Sequence, residues 1–237
     1  MIPNSYHTEQ RRREDARRRW MRAHEVPAEA SSVRVARLLR TLATGDPAVW
    51  HHGQRVAWFA IRIGAALDVD LAQLYLAGLL HDIGKLALPA DLLAKPDALT
   101  PAEQTWMRMH PDLGAAVLPQ DRSLAVVYAG VRYHHERWDG AGYPTGLRGE
   151  AIPLAARILA IADSLDAICM DRPYRPRRPF SVALDTVSRA AGQQFDPALV
   201  EIAVRALAKN PAPSRPAAPP APAFALPLAA TTPAFIN

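Results

Sequence analysis

The sequence predicts an all-α protein, and three observations support this class. Apolar residues recur at the three- and four-residue spacing of a helix face through most of the chain. No segment shows a strong strand pattern. Several segments also begin with residues that cap helix amino termini, or end at glycine or proline. We therefore expect a helical bundle formed by residues 31–208.

Composition and charge point to an ordinary globular protein with terminal extensions. Of 237 residues, 49% are hydrophobic and 22% are charged, and the net charge is +5. Residues 1–30 form a basic arm that we expect to be disordered and solvated, rather than bound to nucleic acid or to an acidic membrane. Residues 209–237 are rich in proline and alanine and are expected to form a disordered tail.

Other features predict a cytoplasmic location. The single cysteine, Cys169, excludes an internal disulfide, which is consistent with a reducing compartment. The first 25 residues lack the apolar segment of a signal peptide, and the longest uncharged apolar run is too short to span a bilayer. We also expect no sensory domain within residues 1–30, because that segment is too short to form one.

The first two predicted helices place a histidine toward the core. A short helix over 33–42 is expected to end near Gly45. In the next helix, about 48–66, His52 lies on an apolar stripe, whereas His51 lies on a mostly polar face. His52 should therefore face the core. A single core histidine is more often a packing residue than a metal ligand, so this position alone decides nothing.

The segment 71–82 is apolar nearly all round and predicts a buried helix that ends with His81 and Asp82. A buried carboxylate needs a compensating charge. Either a metal ion or an ion pair with Lys85, one turn further on, could compensate Asp82, and the segment alone leaves both open. A connecting loop is predicted for 90–99.

Capping residues mark two further helix starts, at Thr100 and Asp196. The first of these helices is expected to stop at Pro111. This places His110 at a helix end, where its side chain can turn into a neighbouring cleft. The second helix is expected to pack the end of the domain and to carry no chemistry.

A further helix, 123–135, ends with two adjacent histidines, His134 and His135, which could both point inward. Glycines and prolines exclude a regular element from about 138 to 153. A loop of this length inside a compact domain usually has a function.

The predicted helix 154–171 is largely apolar but carries Asp163 and Asp166 three residues apart, and these acidic groups again require a cation. The turn that follows places Arg172 and Arg175 on either side of a Pro-Tyr pair. Two guanidinium groups suit an anionic phosphate. A solvated basic turn is the alternative.

Together these positions form one constellation of nitrogen and oxygen ligands. A single catalytic ion needs three or four ligands, whereas a larger set suits two transition metals bridged by a carboxylate. Independent burial of every member is implausible, because each would need its own partners. The seven candidate ligands are His52, His81, Asp82, His110, His134, His135 and Asp163.

The motifs around these residues resemble the HD-GYP domain, the cyclic di-GMP phosphodiesterase branch of the HD phosphohydrolases. The resemblance covers about 33–205. It is carried by His52-x-x-Arg55, His81-Asp82-Ile83-Gly84-Lys85, His110-Pro111, His134-His135-Glu136-Arg137-Trp138-Asp139-Gly140-x-Gly142-Tyr143-Pro144 and Ala162-Asp163-x-x-Asp166.

The resemblance implies an HD-domain helical bundle with a binuclear metal site, commonly iron and sometimes manganese. Asp82 resembles the carboxylate that bridges the two ions. A metal-bridging hydroxide would attack phosphorus and convert cyclic di-GMP to pGpG, with GMP following from a second cleavage. The other ligands resemble two sets, the first with His52, His81 and Asp163, and the second with His110, His134 and His135.

The resemblance also implies roles outside the metal site. Lys85 resembles a residue that supports the phosphate or the leaving oxygen, and Arg172 and Arg175 resemble substrate-phosphate contacts. The Gly142-Tyr143-Pro144 loop would shape the cleft rim and is linked in the family to docking of GGDEF domains. At Ala48, some members have a glutamate that binds a third metal.

The sequence leaves two alternative functions open. One is an HD hydrolase acting on another cyclic dinucleotide or on a nucleotide. The other is a non-catalytic module that binds cyclic di-GMP or GGDEF domains. The intact ligand set and Lys85 count against the second alternative.

Overall fold

A computed structural model describes residues 30–170 and 177–208, together with Asp15 and Arg18. Within this part of the chain the regular elements are helices, and the only β-type pairing is an isolated bridge between Ala191 and Phe195. The predicted all-α class is confirmed. The rest of the predicted arm, the predicted tail and the turn with Arg172 and Arg175 lie outside the described residues.

The α-helices of the described part are numbered here in chain order. They are α1 (Ser31–Gly45), α2 (Pro47–Gly64), α3 (Leu71–Leu80), α4 (Ala90–Leu93), α5 (Pro101–Met107), α6 (His110–Val117), α7 (Ala125–Tyr133), α8 (Leu154–Cys169), α9 (Phe180–Arg189) and α10 (Pro197–Ala208). Short 3₁₀ helices span Ile83–Ala87, Arg122–Leu124 and Gly149–Ala151.

Side-chain caps explain where several helices begin. The Thr100 hydroxyl accepts from the Glu103 amide while the Glu103 carboxylate accepts from the Thr100 amide, which forms the predicted capping box. Asp196 likewise accepts from the amide of Ala198 at 2.9 Å. Asp46 and Asp70 cap α2 and α3 in the same way, although neither was predicted as a cap.

One helix boundary was predicted incorrectly. Pro111 does not stop the helix that begins at Thr100, because α5 already ends at Met107. Pro111 instead lies in the first turn of α6, which begins at His110. Proline fits a first turn because the amide hydrogen it lacks has no partner there. His110 therefore starts a helix rather than ending one.

Smaller differences occur elsewhere. The predicted loop 90–99 contains one helical turn, α4, and the long glycine-rich loop contains the 3₁₀ turn Gly149–Ala151. The predicted helices that carry Asp82, His135 and Asp163 each end two residues earlier than expected. Helix α9 was not anticipated. The ring of its Phe180 stacks on Phe59 of α2, with centroids 5.9 Å apart.

The centre of the fold is formed by α2, α3, α7 and α8. Helix α2 packs against α3 and α8, and α7 packs against the same two helices. One buried apolar cluster joins α2, α8, α9 and α10, and a second joins α1, α3, α6 and α7. Among the described residues, no helix combines the length and apolar character needed to span a bilayer.

A close approach beside α6 brings the chain segment after α3 into position. The 3₁₀ helix Ile83–Ala87 packs on α6 so closely that a β-carbon at Gly84 would collide with the carbonyl oxygen of His110 and would lie 2.6 Å from the Gly114 nitrogen. Only glycine fits there without movement of the backbone. This contact holds Asp82, which immediately precedes the 3₁₀ helix, next to the start of α6.

Candidate metal centre

The structure brings all seven predicted ligands together. Asp82, His110, His134 and His135 each place a ligand atom within 4.8 Å of the others, and His52, His81 and Asp82 form a second such group. Asp163 lies beside the second group, with its Oδ1 atom 3.1 Å from Nε2 of His52. The two groups share one residue, Asp82.

The two oxygens of Asp82 face different groups. Oδ1 lies 3.2 Å from Nε2 of His110 and 3.9 Å from Nε2 of His134. Oδ2 lies 3.6 Å from Nε2 of His52 and 3.4 Å from Nε2 of His81. A carboxylate placed in this way can offer one oxygen to each of two neighbouring ions.

Three of the histidines are held by the same backbone contact. In each, Nδ1 lies within hydrogen-bond distance of the carbonyl oxygen three residues earlier, and a carbonyl can only accept. With the donated hydrogen on Nδ1, each ring can present the lone pair of Nε2 toward the ligand cluster, as a metal ligand requires. The pairs are His81 with Gly78 at 2.8 Å, His110 with Met107 at 2.7 Å, and His134 with Val131 at 3.0 Å.

The protonation states of these groups also suit a cation. Burial and the neighbouring histidines hold the pKa of His134 well below its usual value, and burial together with His110 lowers the pKa of His135 to about 3. Burial raises the pKa of Asp82, but the nearby Lys85 charge, together with interactions with His81 and His110, outweighs it and holds this pKa well below normal. Neutral imidazoles and an ionised carboxylate are the forms that bind metals.

His52 is held differently, between two carboxylates. Its Nδ1 atom lies 2.7 Å from Oδ2 of Asp166, and its Nε2 atom faces Asp163. Burial lowers the pKa of His52, but the hydrogen bonds to Asp163 and Asp166 outweigh it and raise the pKa to about 9. A metal ion at Nε2 must therefore displace a proton.

Asp166 is a site residue whose role was not recognised from the sequence. It is buried, and Arg55 donates to both of its oxygens, from Nε at 2.6 Å and from Nη2 at 3.0 Å. Arg55 thus fixes Asp166, and Asp166 orients the ring of His52. Arg55 and Asp166 both lie in the motifs that carry the family resemblance, and their complementary charges are the signal that could have paired them.

Replacing Asp166 with asparagine is expected to weaken metal binding or activity by about 10- to 100-fold, because an outer partner of a ligating histidine is lost. Titration of metal-free protein with Fe²⁺ or Mn²⁺ measures this effect. The exposed Asp185, which pairs with Arg189 on α9, provides a control as Asp185→Asn. Unchanged metal affinity and turnover in Asp166→Asn would show that His52 needs no such support.

Two buried atoms support the fit of a metal to this site. Nε2 of His81 and Oδ1 of Asp82 are buried and have no hydrogen-bond partner among the described residues. Burying unpaired polar atoms is unfavourable, and bound cations are one means of satisfying them. With nitrogen and oxygen donors converging from several helices, the cluster could hold transition metal ions.

Lys85 lies beside this cluster. Its Nζ atom donates to Oδ2 of Asp82, so the ion pair that the sequence left open is present. The ion pair does not replace the ligand group, because Oδ1 of Asp82 still faces His110 and His134. Lys85 remains partly exposed, which leaves its ammonium accessible to a substrate.

The glycine-rich loop after His135 folds back on its own beginning. The buried carboxylate of Glu136 accepts from the amide and hydroxyl of Thr145, both at 2.7 Å, and from the amide of Gly146 at 3.1 Å. A β-carbon at Gly142 would lie 2.6 Å from the carbonyl oxygen of His135. Glu136 thus closes the loop, a role that its position beside the histidines did not reveal.

The Gly-Tyr-Pro segment covers one of the ligands. The Tyr143 ring stacks on the ring of His135, with centroids 4.7 Å apart and an interplanar angle of 24°. The Tyr143 amide donates to the carbonyl oxygen of His135 at 3.2 Å. Burial holds the pKa of the Tyr143 phenol above its usual value, so the ring is neutral.

The fold and this ligand cluster define a helical HD-type domain. Residues 37–199, inside the predicted unit 31–208, match the HD domain family. The chain therefore belongs to the HD domain family.

Individual relatives agree with the resemblance drawn from the motifs. A cyclic di-GMP phosphodiesterase of Thermotoga maritima is 36% identical over 162 residues, covering 66% of this chain and 44% of that protein. The cyclic di-GMP phosphodiesterase response regulator RpfG of Xanthomonas campestris is 37% identical over 178 residues, covering 74% of this chain and 47% of that protein. This chain spans less than half the length of each.

A solved structure shares the fold. The crystal structure of a cyclic GMP-AMP-specific phosphodiesterase of Vibrio cholerae matches with a TM-score of 0.54 and 24% identity, covering 76% of this chain and 49% of that chain. At this identity the match shows the fold alone.

Proposed function

We propose that this protein is a metal-dependent phosphodiesterase of the HD-GYP branch that hydrolyses cyclic di-GMP to pGpG, with GMP formed where a second cleavage follows. The observation that carries the proposal is the position of Asp82 between two groups of ligand atoms. The relatives of this chain from Thermotoga maritima and Xanthomonas campestris, which carry the name cyclic di-GMP phosphodiesterase, support the choice of substrate.

The proposed ligands would form two sets, each holding one ion. His52, His81 and Asp163 would hold one ion, His110, His134 and His135 the other, and Asp82 would bridge them. When bound, the two ions would supply an activated water for attack on phosphorus and would stabilise charge on the phosphate. Lys85 would contact the phosphate or the leaving oxygen. The buried histidines and Tyr143 would restrict water around the reacting group.

Product analysis tests the proposal. Protein purified without oxygen is incubated with cyclic di-GMP, cyclic di-AMP and cyclic GMP-AMP, and the products are separated by chromatography over time. We expect cyclic di-GMP to be consumed fastest, with pGpG accumulating before GMP. Faster turnover of another cyclic dinucleotide would reassign the substrate. Binding of cyclic di-GMP without any product would favour the non-catalytic alternative.

We further propose that the centre binds two metal ions, with iron preferred and manganese as the alternative. Ala48 lies four residues before His52 on α2, so it shares a helix face with that ligand. A methyl group cannot coordinate a third ion. Elemental analysis of protein prepared without oxygen should therefore give two ions per chain, and three tightly bound ions would contradict this expectation.

Arg172 and Arg175 are proposed as phosphate contacts. Replacing either with alanine is expected to weaken substrate binding by about 1.5–3 kcal/mol, as for a lost charged hydrogen bond. Bound metal should not change. Substrate KM and elemental content measure the two effects, with the exposed Arg189→Ala as control. Loss of metal in either variant would instead assign the turn to structural support of the site.

Two further parts of the proposal concern the cellular setting. The protein would act in the cytoplasm, and the rim at Gly142-Tyr143-Pro144 would dock GGDEF domains. Calorimetric titration with an isolated GGDEF domain tests the docking. If no heat of binding is detected at micromolar concentrations, the proposal that GGDEF domains are partners is wrong.

A further inference from the structure

Arg108 is a cation at the edge of the metal centre, and it has no role in the proposed metal site or in the proposed phosphate contacts. Arg108 caps the carboxyl end of α5, two residues before His110, and its side chain is exposed. Its guanidinium carbon lies over the Tyr143 ring, 5.4 Å from the ring centroid. This is the geometry of a cation–π contact.

The Tyr143 ring connects Arg108 to the metal centre. Because the same ring stacks on His135, the guanidinium lies one aromatic layer away from a proposed metal ligand. The ring also restricts the arginine side chain, so that less conformational freedom remains to be lost when an anion binds.

The charge of Arg108 is not neutralised within the described part of the chain. Other arginines around the site are paired with carboxylates: Arg55 with Asp166, Arg132 with Asp112, Arg137 with Asp139 and Arg157 with Asp196. No described carboxylate forms such a pair with Arg108. An exposed guanidinium that has no counterion among the described residues, and that contacts the Tyr143 ring beside the candidate metal centre, is suited to bind an anionic group of the substrate.

We propose that Arg108 binds the second phosphodiester of a cyclic dinucleotide while the first phosphodiester lies at the metal centre. This inference rests on the proposed function and adds a substrate contact from the His110 side of the site. A cyclic dinucleotide carries two phosphodiesters in one ring, so the group that is not cleaved must lie at the edge of the site. The planar guanidinium fork of Arg108 can donate two hydrogen bonds to its oxygens.

The test compares substrates with two phosphates and with one. Kinetic constants for cyclic di-GMP and for bis(p-nitrophenyl) phosphate, which has a single phosphodiester, are measured for wild type, Arg108→Ala and Arg108→Lys. We divide kcat/KM for cyclic di-GMP by kcat/KM for bis(p-nitrophenyl) phosphate. This ratio should fall about 10- to 100-fold in Arg108→Ala, mainly because KM for cyclic di-GMP rises. The ratio should fall less in Arg108→Lys, because lysine keeps the positive charge but lacks the planar guanidinium fork.

A second readout is independent of the dinucleotide reaction. The inhibition constant of pGpG, measured against bis(p-nitrophenyl) phosphate hydrolysis, should rise by a similar factor in Arg108→Ala, whereas that of inorganic phosphate should change much less. Arg40→Ala is the matched control, since Arg40 is an exposed arginine on α1 outside the site. It should leave the ratio of kcat/KM values unchanged.

The outcomes separate this inference from the function on which it rests. Wild-type hydrolysis of cyclic di-GMP with the same ratio in Arg108→Ala as in Arg40→Ala overturns the role of Arg108 alone. Wild-type hydrolysis of bis(p-nitrophenyl) phosphate without any hydrolysis of cyclic dinucleotides overturns the proposed substrate, and the role of Arg108 with it.

Discussion

Replacing Asp82 with asparagine is expected to reduce cyclic di-GMP hydrolysis by more than about 100-fold, the upper end of the loss seen when only an outer partner of a ligand is removed. The amide of asparagine has one oxygen and no charge. It therefore cannot offer an oxygen ligand toward each of the two groups of histidines that the carboxylate oxygens of Asp82 face. Turnover and elemental content of the purified variant measure the effect, and circular dichroism checks the helical fold.

Asp185→Asn is the matched control for this substitution, because Asp185 is exposed on α9 and pairs with Arg189 on the same helix. It should behave as wild type. If Asp82→Asn kept turnover within a few-fold of wild type at unchanged metal content, Asp82 would not be the bridging ligand. The proposed mechanism would then be wrong.

Replacing Gly84 with alanine is expected to destabilise the domain by about 1–3 kcal/mol, the usual cost of overpacking, and to lower activity as well. The added methyl group would meet backbone atoms of His110 and Gly114, which cannot move without displacing α6. Since α6 begins with a ligand, the strain reaches the metal centre. Thermal denaturation and metal content measure the two consequences.

Gly45→Ala supplies the comparison for Gly84→Ala. A β-carbon at Gly45, the last residue of α1, would make only ordinary contact with the Leu86 side chain, at 3.5 Å. Its melting temperature should therefore stay close to that of wild type. Equal melting temperatures for Gly84→Ala and wild type would mean that the 3₁₀ helix and α6 can separate without cost.

Much of the ligand set could be predicted from the sequence because local periodicity determines which face of a helix a residue occupies. Val56, Phe59 and Ile63, on the stripe that contains His52, are buried as expected, and His52 itself is partly buried. His51 on the other face is exposed. His81 and Asp82 follow a helix that is apolar nearly all round, and both are buried. The motif resemblance then joined residues that lie far apart in the chain.

Tertiary contacts determined what could not be predicted. Asp163 and Asp166 have the same chemistry and lie one turn apart, and only the crossing of α2 and α8 decides which nitrogen of His52 each one faces. Pro111 was ambiguous for a different reason. Proline is compatible with the end of one helix and with the first turn of the next, and local sequence does not distinguish the two.

The backbone contacts of the three tethered histidines have a consequence for the order of binding. Gly78, Met107 and Val131 lie in the last turns of α3, α5 and α7, where carbonyl groups lack partners within the helix. The carboxyl ends of three helices therefore meet at the cluster, and each carries the negative end of its macrodipole. Together with Asp82 and Asp163, this field attracts cations and repels a phosphate. The fold thus favours binding of the metal ions first, and the positive charge they bring adds to that of Lys85 in attracting the substrate.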